Sequence, residues 1–288
     1  MSRAALRLAQ LATLTVSLLS WAQCAAAEPL TWDPAWSRVS NFEYGLTALA
    51  GAGALFAYFE VPDAEQPRWT GGILLDDIIR DHLRRRTPEG LHAARTASDI
   101  TALSTIGWAL GVDSLAVPLA RRGSDAAGQF ASLDAEAFSI SLLISNLTFK
   151  AVARARPSYV DCRNNPLFEP LCDSSRFASF PSGHTNAAFT AAGLSCAHHL
   201  HAAVYDDKLA DSLACAGTLL LAATTGTLRI VGDRHYATDV WMGAVIGFAV
   251  GYGLPTLFHY GRASRESSAN PAMQALSPGV GPTFSGAF

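Results

Sequence analysis

The stretch GDRHYATDVWMGAVIG, at 232–247, combines charged groups with a run of apolar and small residues that is typical of a buried helix. His235 and Asp239 stand four residues apart, so on a helix they share a face. Asp239 can then hold one ring nitrogen of His235 and leave the other free as a nucleophile. Arg229, just upstream, suits a bound phosphate. The pattern indicates a phosphoryl-transfer site, with a simple helix-start cap as the alternative.

A second anion-binding pattern is SFPSGHTN, at 179–186. Its Pro-Ser pair predicts the start of a helix, at Pro181 and Ser182. The backbone N–H groups that follow would point at an anion, and Gly183 lets the backbone come close to it. His184, one residue further on, is placed to protonate a leaving oxygen.

A third pattern, KAVARARP at 150–157, ends a long apolar segment with a cluster of cations. The three patterns occur in the order found in the type 2 phosphatidic acid phosphatase superfamily, which also contains the vanadium haloperoxidases. The chain resembles that family in its complete Pro-Ser-Gly-His motif, at 181–184, and in a following Arg-x5-His-x3-Asp motif. The matching residues of the last motif are Arg229, His235 and Asp239, and the cations of the first are Lys150, Arg154 and Arg156.

The family's lysine motif is only partly reproduced. The family places six residues between its lysine and its Arg-Pro pair, whereas five separate Lys150 from Arg156, and Phe149 takes the lysine position. We expect Lys150 still to reach the phosphate on its flexible stem; the alternative is that Arg154 supplies the charge. Leu228 stands where the family has a serine, which removes one possible hydroxyl donor.

The resemblance implies a phosphatase that needs no metal or other cofactor and that works through a phosphohistidine. Its motifs would meet at one end of a helical bundle. The nucleophile would be His235, oriented by Asp239, while His184 protonates the leaving group and then activates water. The remaining site residues would bind phosphate, namely Arg156, Arg229, Ser182, Gly183 and either Lys150 or Arg154.

Two other functions fit the same motifs. A vanadate-dependent haloperoxidase uses this type of pocket, and a catalytically inactive envelope scaffold would explain the two departures from the family pattern. For a phosphatase, the substrate would be a phosphorylated lipid or a small phosphomonoester. Relatives handle phosphatidic acid, undecaprenyl diphosphate, lipid A phosphate and small phosphomonoesters, and the sequence does not choose among them.

Composition and segment pattern predict an all-α protein. Half of the 288 residues are hydrophobic, and runs of alternating β-branched residues are few. We expect a secretory signal peptide at 1–27, a single helical-bundle domain at 28–260, and a loosely ordered tail at 261–288. The bundle would have about six core helices plus amphipathic surface helices, one of them at 73–86. A formal net charge of −3 gives no general attraction to nucleic acid.

Cysteine and histidine positions suggest one structural cross-link and no metal site. In an exported protein, Cys162 and Cys172 in a polar loop predict a disulfide. Cys196 and Cys215 lie in apolar segments and are interpreted as buried thiols. The histidines at 198–201 lack a nearby carboxylate or cysteine at a recognisable ligand spacing, so we interpret them as structural.

The export signal predicts a periplasmic location, but the apolar segments leave the relation to the membrane open. The segment 44–59 is shorter than the roughly 20 residues that span a bilayer, and 101–120 carries Asp113. We therefore expect helices buried against one another, with a membrane surface as a possible partner. The alternative is an integral inner-membrane protein.

Overall fold

The computed structural model describes residues 28–164 and 177–261. Regular structure in these ranges is helical apart from one isolated bridge between Trp69 and Arg154. This confirms the predicted all-α class. The helices of the described residues are α1 (Asn41–Phe59), α2 (Asp76–Leu83), α3 (Pro88–Ala120), α4 (Ser124–Val152), α5 (Tyr159–Asn164), α6 (Gly183–Ala202), α7 (Lys208–Val231) and α8 (Ala237–Tyr260).

The sequence specifies several helix starts through capping residues. α1 begins after Ser40, whose side chain accepts the Glu43 N–H while the Glu43 carboxylate accepts the Ser40 N–H. α3 begins after Thr87, with proline in its first turn. The side chain of Asp207 caps α7 in the same way. These caps satisfy N–H groups that have no partner inside the helix.

Helix α6 occupies the centre of the bundle and is enclosed by α3, α4, α7 and α8, while α1 packs on α4. Its contact with α8 depends on a glycine stripe, formed by Gly243, Gly247 and Gly251, against backbone oxygens of α6. A Cβ at Gly247 would lie 2.3 Å from the carbonyl oxygen of Asn186. The two backbones are therefore close enough that only glycine fits between them.

Contacts between helix termini define the two ends of the bundle. At one end, the starts of α6 and α8 meet through the hydrogen bond from the Ser182 N–H to the Asp239 carbonyl (2.9 Å). At the other end, Arg121 after α3 donates to the carbonyl of Ala203 after α6 (2.8 Å). We call these the site end and the far end. Successive long helices run in opposite directions between them.

The outer faces of the long helices are apolar. Four helices, α3, α4, α7 and α8, are long and apolar enough to cross a membrane, and only 28–33% of each apolar window is buried inside the protein. Large side chains such as Leu103, Leu220 and Val245 are more than 60% exposed. The structure thus departs from the expectation that these helices bury one another, and the exposed apolar faces fit a membrane-associated protein.

Two cysteines assigned as thiols are instead cross-linked. Cys196 in α6 and Cys215 in α7 form a disulfide, so the interpretation of both as buried thiols is wrong. Both lie in apolar helices, where the sequence alone gave no sign of their proximity. For the predicted Cys162–Cys172 bond, Cys162 lies in α5, but Cys172 lies outside the described residues, as do the predicted signal peptide and the tail beyond residue 261.

Candidate active site

The imidazole of His235 is held in one orientation at the start of α8. Its Nδ1 lies 2.7 Å from the carbonyl oxygen of Ser179, which can only accept, so Nδ1 carries the proton and Nε2 the lone pair. The Asp239 carboxylate is 3.9 Å from the same nitrogen. Asp239 instead accepts the Ser179 hydroxyl at 2.6 Å and the Tyr236 N–H at 2.8 Å. The expected His–Asp pair is therefore mainly indirect, through Ser179.

Arg154 stabilises the group formed by His235, Ser179 and Asp239 through its contact with Asp239. Its guanidinium is fully buried and donates to carboxylates on two helices, Asp239 and, at 2.8 Å, Asp76. Its planar group also lies over the rings of Trp69 and Tyr236, with its central carbon 3.8 and 4.1 Å from their centroids. Arg154 is thus placed to position other residues, not to contact phosphate, which corrects the alternative raised for it above.

Helix α2 covers the site end and supplies Asp76. This carboxylate accepts the Thr238 N–H at 2.8 Å and the Thr238 hydroxyl at 2.7 Å, so it caps the first turn of α8 from another helix. Burial alone would raise the pKa of Asp76, but hydrogen bonds from the Ile73 N–H, Arg154 and Thr238 lower it. Asp76 is therefore an anion that pairs with Arg154 across the fold.

Arg80 in α2 and Arg84, which directly follows this helix, fasten it to the loop before α8 and to α5. Arg80 binds both carboxylate oxygens of the buried Asp233, at 2.6 and 2.8 Å, and Arg84 binds Asp161 at 2.9 Å. Their partners lie far away in sequence, so the arginines of the amphipathic helix predicted at 73–86 tie it to other parts of the fold. The helix forms one wall of the site end.

Three arginines surround the two histidines. The charges of Arg156, Arg229 and Arg234 act on both His184 and His235. Arg156 and Arg229 are buried. Such a concentration of planar cations suits a multiply charged anion such as phosphate. The structure therefore brings together Arg156, Arg229 and both histidines, and adds Arg234, which the sequence analysis did not select.

The start of α6 contributes backbone donors to the same place. The first intrahelical bond runs from the Asn186 N–H to the Ser182 carbonyl, so the N–H groups of residues 183–185 precede the helical ladder. The Ser182 hydroxyl is buried and paired with Thr185 at 2.8 Å. A Cβ at Gly183 would lie 3.0 Å from the ring of Phe149. The Phe149 ring, at the family's lysine position, thus packs against the start of α6.

Lys150, expected to reach the phosphate, binds elsewhere in this structure. Its ammonium donates to Asp63 at 2.7 Å, near the end of α1. Arg234 acts on both histidines together with Arg156 and Arg229. It is therefore better placed than Lys150 or Arg154 to be the third cation of the site.

His184 stands at the mouth of the site with Asp99 from α3. Its Nε2 lies 3.0 Å from Asp99, which also accepts from Arg229 at 3.2 Å. The His184 side chain is 44% exposed. Partial desolvation and then the charge of Arg229 lower the pKa of His184 to about 4. A bound phosphate dianion would offset the arginines and so restore the ability of His184 to carry a proton.

His235 is electrostatically different because it is enclosed. Burial first, and the charges of Arg156 and Arg229 next, hold its pKa well below 6.5. The imidazole is therefore neutral at pH 7, as a nucleophile must be.

The sequence was compared with known protein families. The PAP2 superfamily model matches residues 135–263, the segment that contains every motif described above. The chain is similar to the PAP2 superfamily over this segment, which is less than half of its 288 residues. The segment includes α6, α7, α8 and most of α4, whereas α2 and Asp99 lie outside it.

Two curated relatives show closer similarity to parts of the chain. A lipid A 1-phosphatase of Porphyromonas gingivalis is 40% identical over 79 residues, which cover 27% of this chain and 16% of that protein. A lipid A 1-phosphatase of Rhizobium johnstonii is 34% identical over 107 residues, which cover 36% of this chain and 38% of that protein. The chain spans well under half the length of the curated relatives it matches.

Several residues of this site escaped the sequence analysis. Arg234 directly precedes His235, so its position inside the third motif could have revealed it. Ser179 opens the stretch that was quoted for the second motif. Its carbonyl accepts from His235 and its hydroxyl donates to Asp239, and no sequence pattern reports these contacts. Asp76 and Asp99 belong to helices outside the three motifs, and only the fold brings them to the site.

Proposed function

We propose that this protein is a metal-independent phosphatase that hydrolyses a lipid phosphate through a phosphohistidine intermediate. The observation that carries the proposal is the convergence of three arginine charges on two histidines of different environment, His184 and His235. One histidine is buried, neutral and fixed at Nδ1, and the other is partly exposed at the mouth. A nucleophile and a separate proton carrier need these two environments.

Phosphate binding is the first step. Arg156, Arg229 and Arg234 neutralise the non-bridging oxygens, and the N–H groups of the first turn of α6 complete the cradle. Arg229 also contacts Asp99, so bound phosphate competes with that carboxylate for the arginine. The negative charge of the substrate thus helps to release Arg229 from Asp99 and to draw it to the phosphate.

The second step is transfer of the phosphoryl group to His235. Nε2 of His235 attacks phosphorus, the bond to the leaving oxygen breaks, and His184 gives its proton to that oxygen. The Nδ1–H of His235 stays bonded to the Ser179 carbonyl, which disperses the positive charge that develops on the ring. Water then attacks phosphorus, His184 takes the water's proton, and the P–N bond breaks to release phosphate and neutral His235.

The substrate class follows from the relatives and the surface. Both curated relatives are named as lipid A 1-phosphatases. The apolar outer faces of the helices keep the site next to a membrane, where a lipid phosphate resides. These features support a lipid phosphate over a soluble phosphomonoester. The disulfide between Cys196 and Cys215 further supports an oxidising compartment, and we propose the periplasm.

The test is phosphate release by the purified full-length chain and by His235→Ala. We expect His235→Ala to lower kcat at least about a thousandfold, because the nucleophile is lost and only phosphate binding remains. His92→Ala, at an exposed position of α3, is the matched control and should keep wild-type activity.

Two results would contradict the proposal. Near wild-type phosphatase activity in a folded His235→Ala variant would exclude the phosphohistidine mechanism. Vanadate should inhibit a phosphatase. If added vanadate instead activates halide oxidation, the result would indicate the haloperoxidase alternative.

A further inference from the structure

Asp99 in α3 places a carboxylate at the mouth of the site. One of its oxygens lies 3.0 Å from Nε2 of His184 and also accepts from Arg229 at 3.2 Å. The Asp99 side chain is 53% exposed, so its charge also acts on a substrate that enters the site. A negative charge therefore stands directly beside the proton carrier.

The position of His184 makes Asp99 a neighbour of the leaving group. In the proposed function, on which this inference rests, His184 protonates the leaving oxygen, which must lie within hydrogen-bond reach of the ring. Asp99 contacts the same ring, so the first atom beyond the leaving oxygen comes within roughly 7 Å of the carboxylate. The charge of Asp99 is thus felt where one leaving group differs from another.

Lipid phosphomonoesters and lipid diphosphates differ at this point. The leaving group of a monoester is a neutral alcohol, whereas that of a diphosphate is a second phosphate group, which is already an anion. Arg229 would attract such an anion, but Asp99 offsets the Arg229 charge at the mouth. Two like charges about 7 Å apart repel each other enough to weaken binding about threefold in bulk water, and more in a partly buried site. The transferred phosphoryl group is common to both substrates, so its own repulsion cancels in the comparison.

Asp99 also helps His184 to serve an alcohol leaving group. Burial and the charge of Arg229 lower the pKa of His184, and the charge of Asp99 opposes them. An alcohol must take up a proton as it leaves, because an alkoxide is a far stronger base than a phosphate anion. The carboxylate therefore supports the proton transfer on which a monoester depends more than a diphosphate does.

We propose that Asp99 is a specificity-determining residue that selects lipid phosphomonoesters over lipid diphosphates. It acts through its charge beside the leaving group, while the arginines bind the phosphoryl group that is transferred. Asp99 belongs to α3 and to none of the three motifs, so the motifs alone do not reveal this preference.

The experiment compares octyl phosphate with octyl diphosphate as substrates of the full-length protein in one detergent. Initial rates of phosphate release give kcat/KM for each, and the shared octyl chain removes differences in hydrocarbon binding. We expect the wild type to have the higher kcat/KM for octyl phosphate. A higher kcat/KM for octyl diphosphate would overturn the proposal and leave the phosphatase function standing. Hydrolysis of neither substrate would contradict the proposed phosphatase function and this inference with it.

Variants test whether the charge of Asp99 is the cause. Asp99→Asn keeps the shape of the side chain and should lower the monophosphate-to-diphosphate ratio of kcat/KM at least about threefold. Asp99→Glu keeps the charge and should keep the wild-type ratio. Glu89→Gln, which removes a charge at an exposed position in the first turn of the same helix, is the matched control and should also keep it.

The ratio separates a role in specificity from a role in folding. If Asp99 only stabilised the structure, Asp99→Asn would lower both kcat/KM values alike. An unchanged ratio in the folded Asp99→Asn variant, or the same ratio in the Asp99→Asn and Asp99→Glu variants, would overturn the proposal.

Discussion

A buried arginine, Arg154, determines how the candidate site is held together. A guanidinium without solvent contact is costly unless charges and hydrogen bonds surround it. Arg154 meets this need with two carboxylates, Asp76 and Asp239, and with two aromatic faces. Because Asp239 also holds Ser179 and the start of α8, the orientation of His235 depends on a charge network that begins in α2.

The charge network predicts that replacing a single oxygen of Asp76 by nitrogen strongly lowers the stability of the protein. Asp76→Asn removes one of the two charges that balance Arg154, so we expect the free energy of unfolding to fall by about 3 kcal/mol. Thermal or denaturant unfolding in detergent measures this loss. Activity should fall together with stability, since the same network fixes His235.

The neighbouring Asp77 is the matched control. It lies on the same helix but is exposed, so Asp77→Asn should change stability by no more than about 0.5 kcal/mol. Equal stability of the Asp76 and Asp77 variants would contradict the charge network as described.

Sequence spacing predicts contacts well only where partners are close in the chain. It put His184 at the start of a helix, as the structure has it, whereas His235, expected on one helix with Asp239, lies two residues before α8. Spacing could not assign a role to Arg154, because its carboxylate partners are 78 and 85 residues away in the sequence. It also could not foresee that the Ser179 carbonyl, and not Asp239, is nearest to the His235 ring.

At the scale of elements, the glycine stripe of α8 fixes the distance between α8 and α6. His184 lies in the first turn of α6, and His235 lies two residues before α8, so a shift between the two helices separates the histidines. The sequence showed glycines recurring along the last helix, but not which helix they face. The structure assigns them to the backbone of α6.

Gly247→Ala should therefore destabilise the protein. The added Cβ would meet a carbonyl oxygen at 2.3 Å, so the helices must move apart, which typically costs about 1–3 kcal/mol. The free energy of unfolding in detergent and kcat should both decrease.

Gly253 provides the control on the same helix. A Cβ there would have no atom within 4 Å, so Gly253→Ala should change stability by no more than about 1 kcal/mol. A Gly247→Ala variant as stable as Gly253→Ala would show that α6 and α8 are not packed this closely.

For the whole molecule, the sequence predicted the fold class but misjudged how the helices face their surroundings. The segments at 44–59 and 101–120 were considered too short or too interrupted to span a membrane. In the structure, the second belongs to a helix of 33 residues, in which Asp113 is buried and accepts from Ser195 and Tyr205. A charge satisfied inside the bundle does not prevent its helix from facing lipid, and this partner cannot be read from the sequence.

The exposed apolar faces lead to the last prediction, that the protein remains in the membrane fraction. Four helices expose most of their apolar windows, and transfer of that surface to water is unfavourable at about 25 cal/mol per Å². After carbonate extraction of cells that express the full-length chain, we expect the protein in the membrane pellet, with solubility only in detergent. Osmotic shock, which releases soluble periplasmic proteins, should release none of it. Recovery of active protein in the shock fluid without detergent would instead mean that another surface covers these faces, and the lipid-facing arrangement would have to be abandoned.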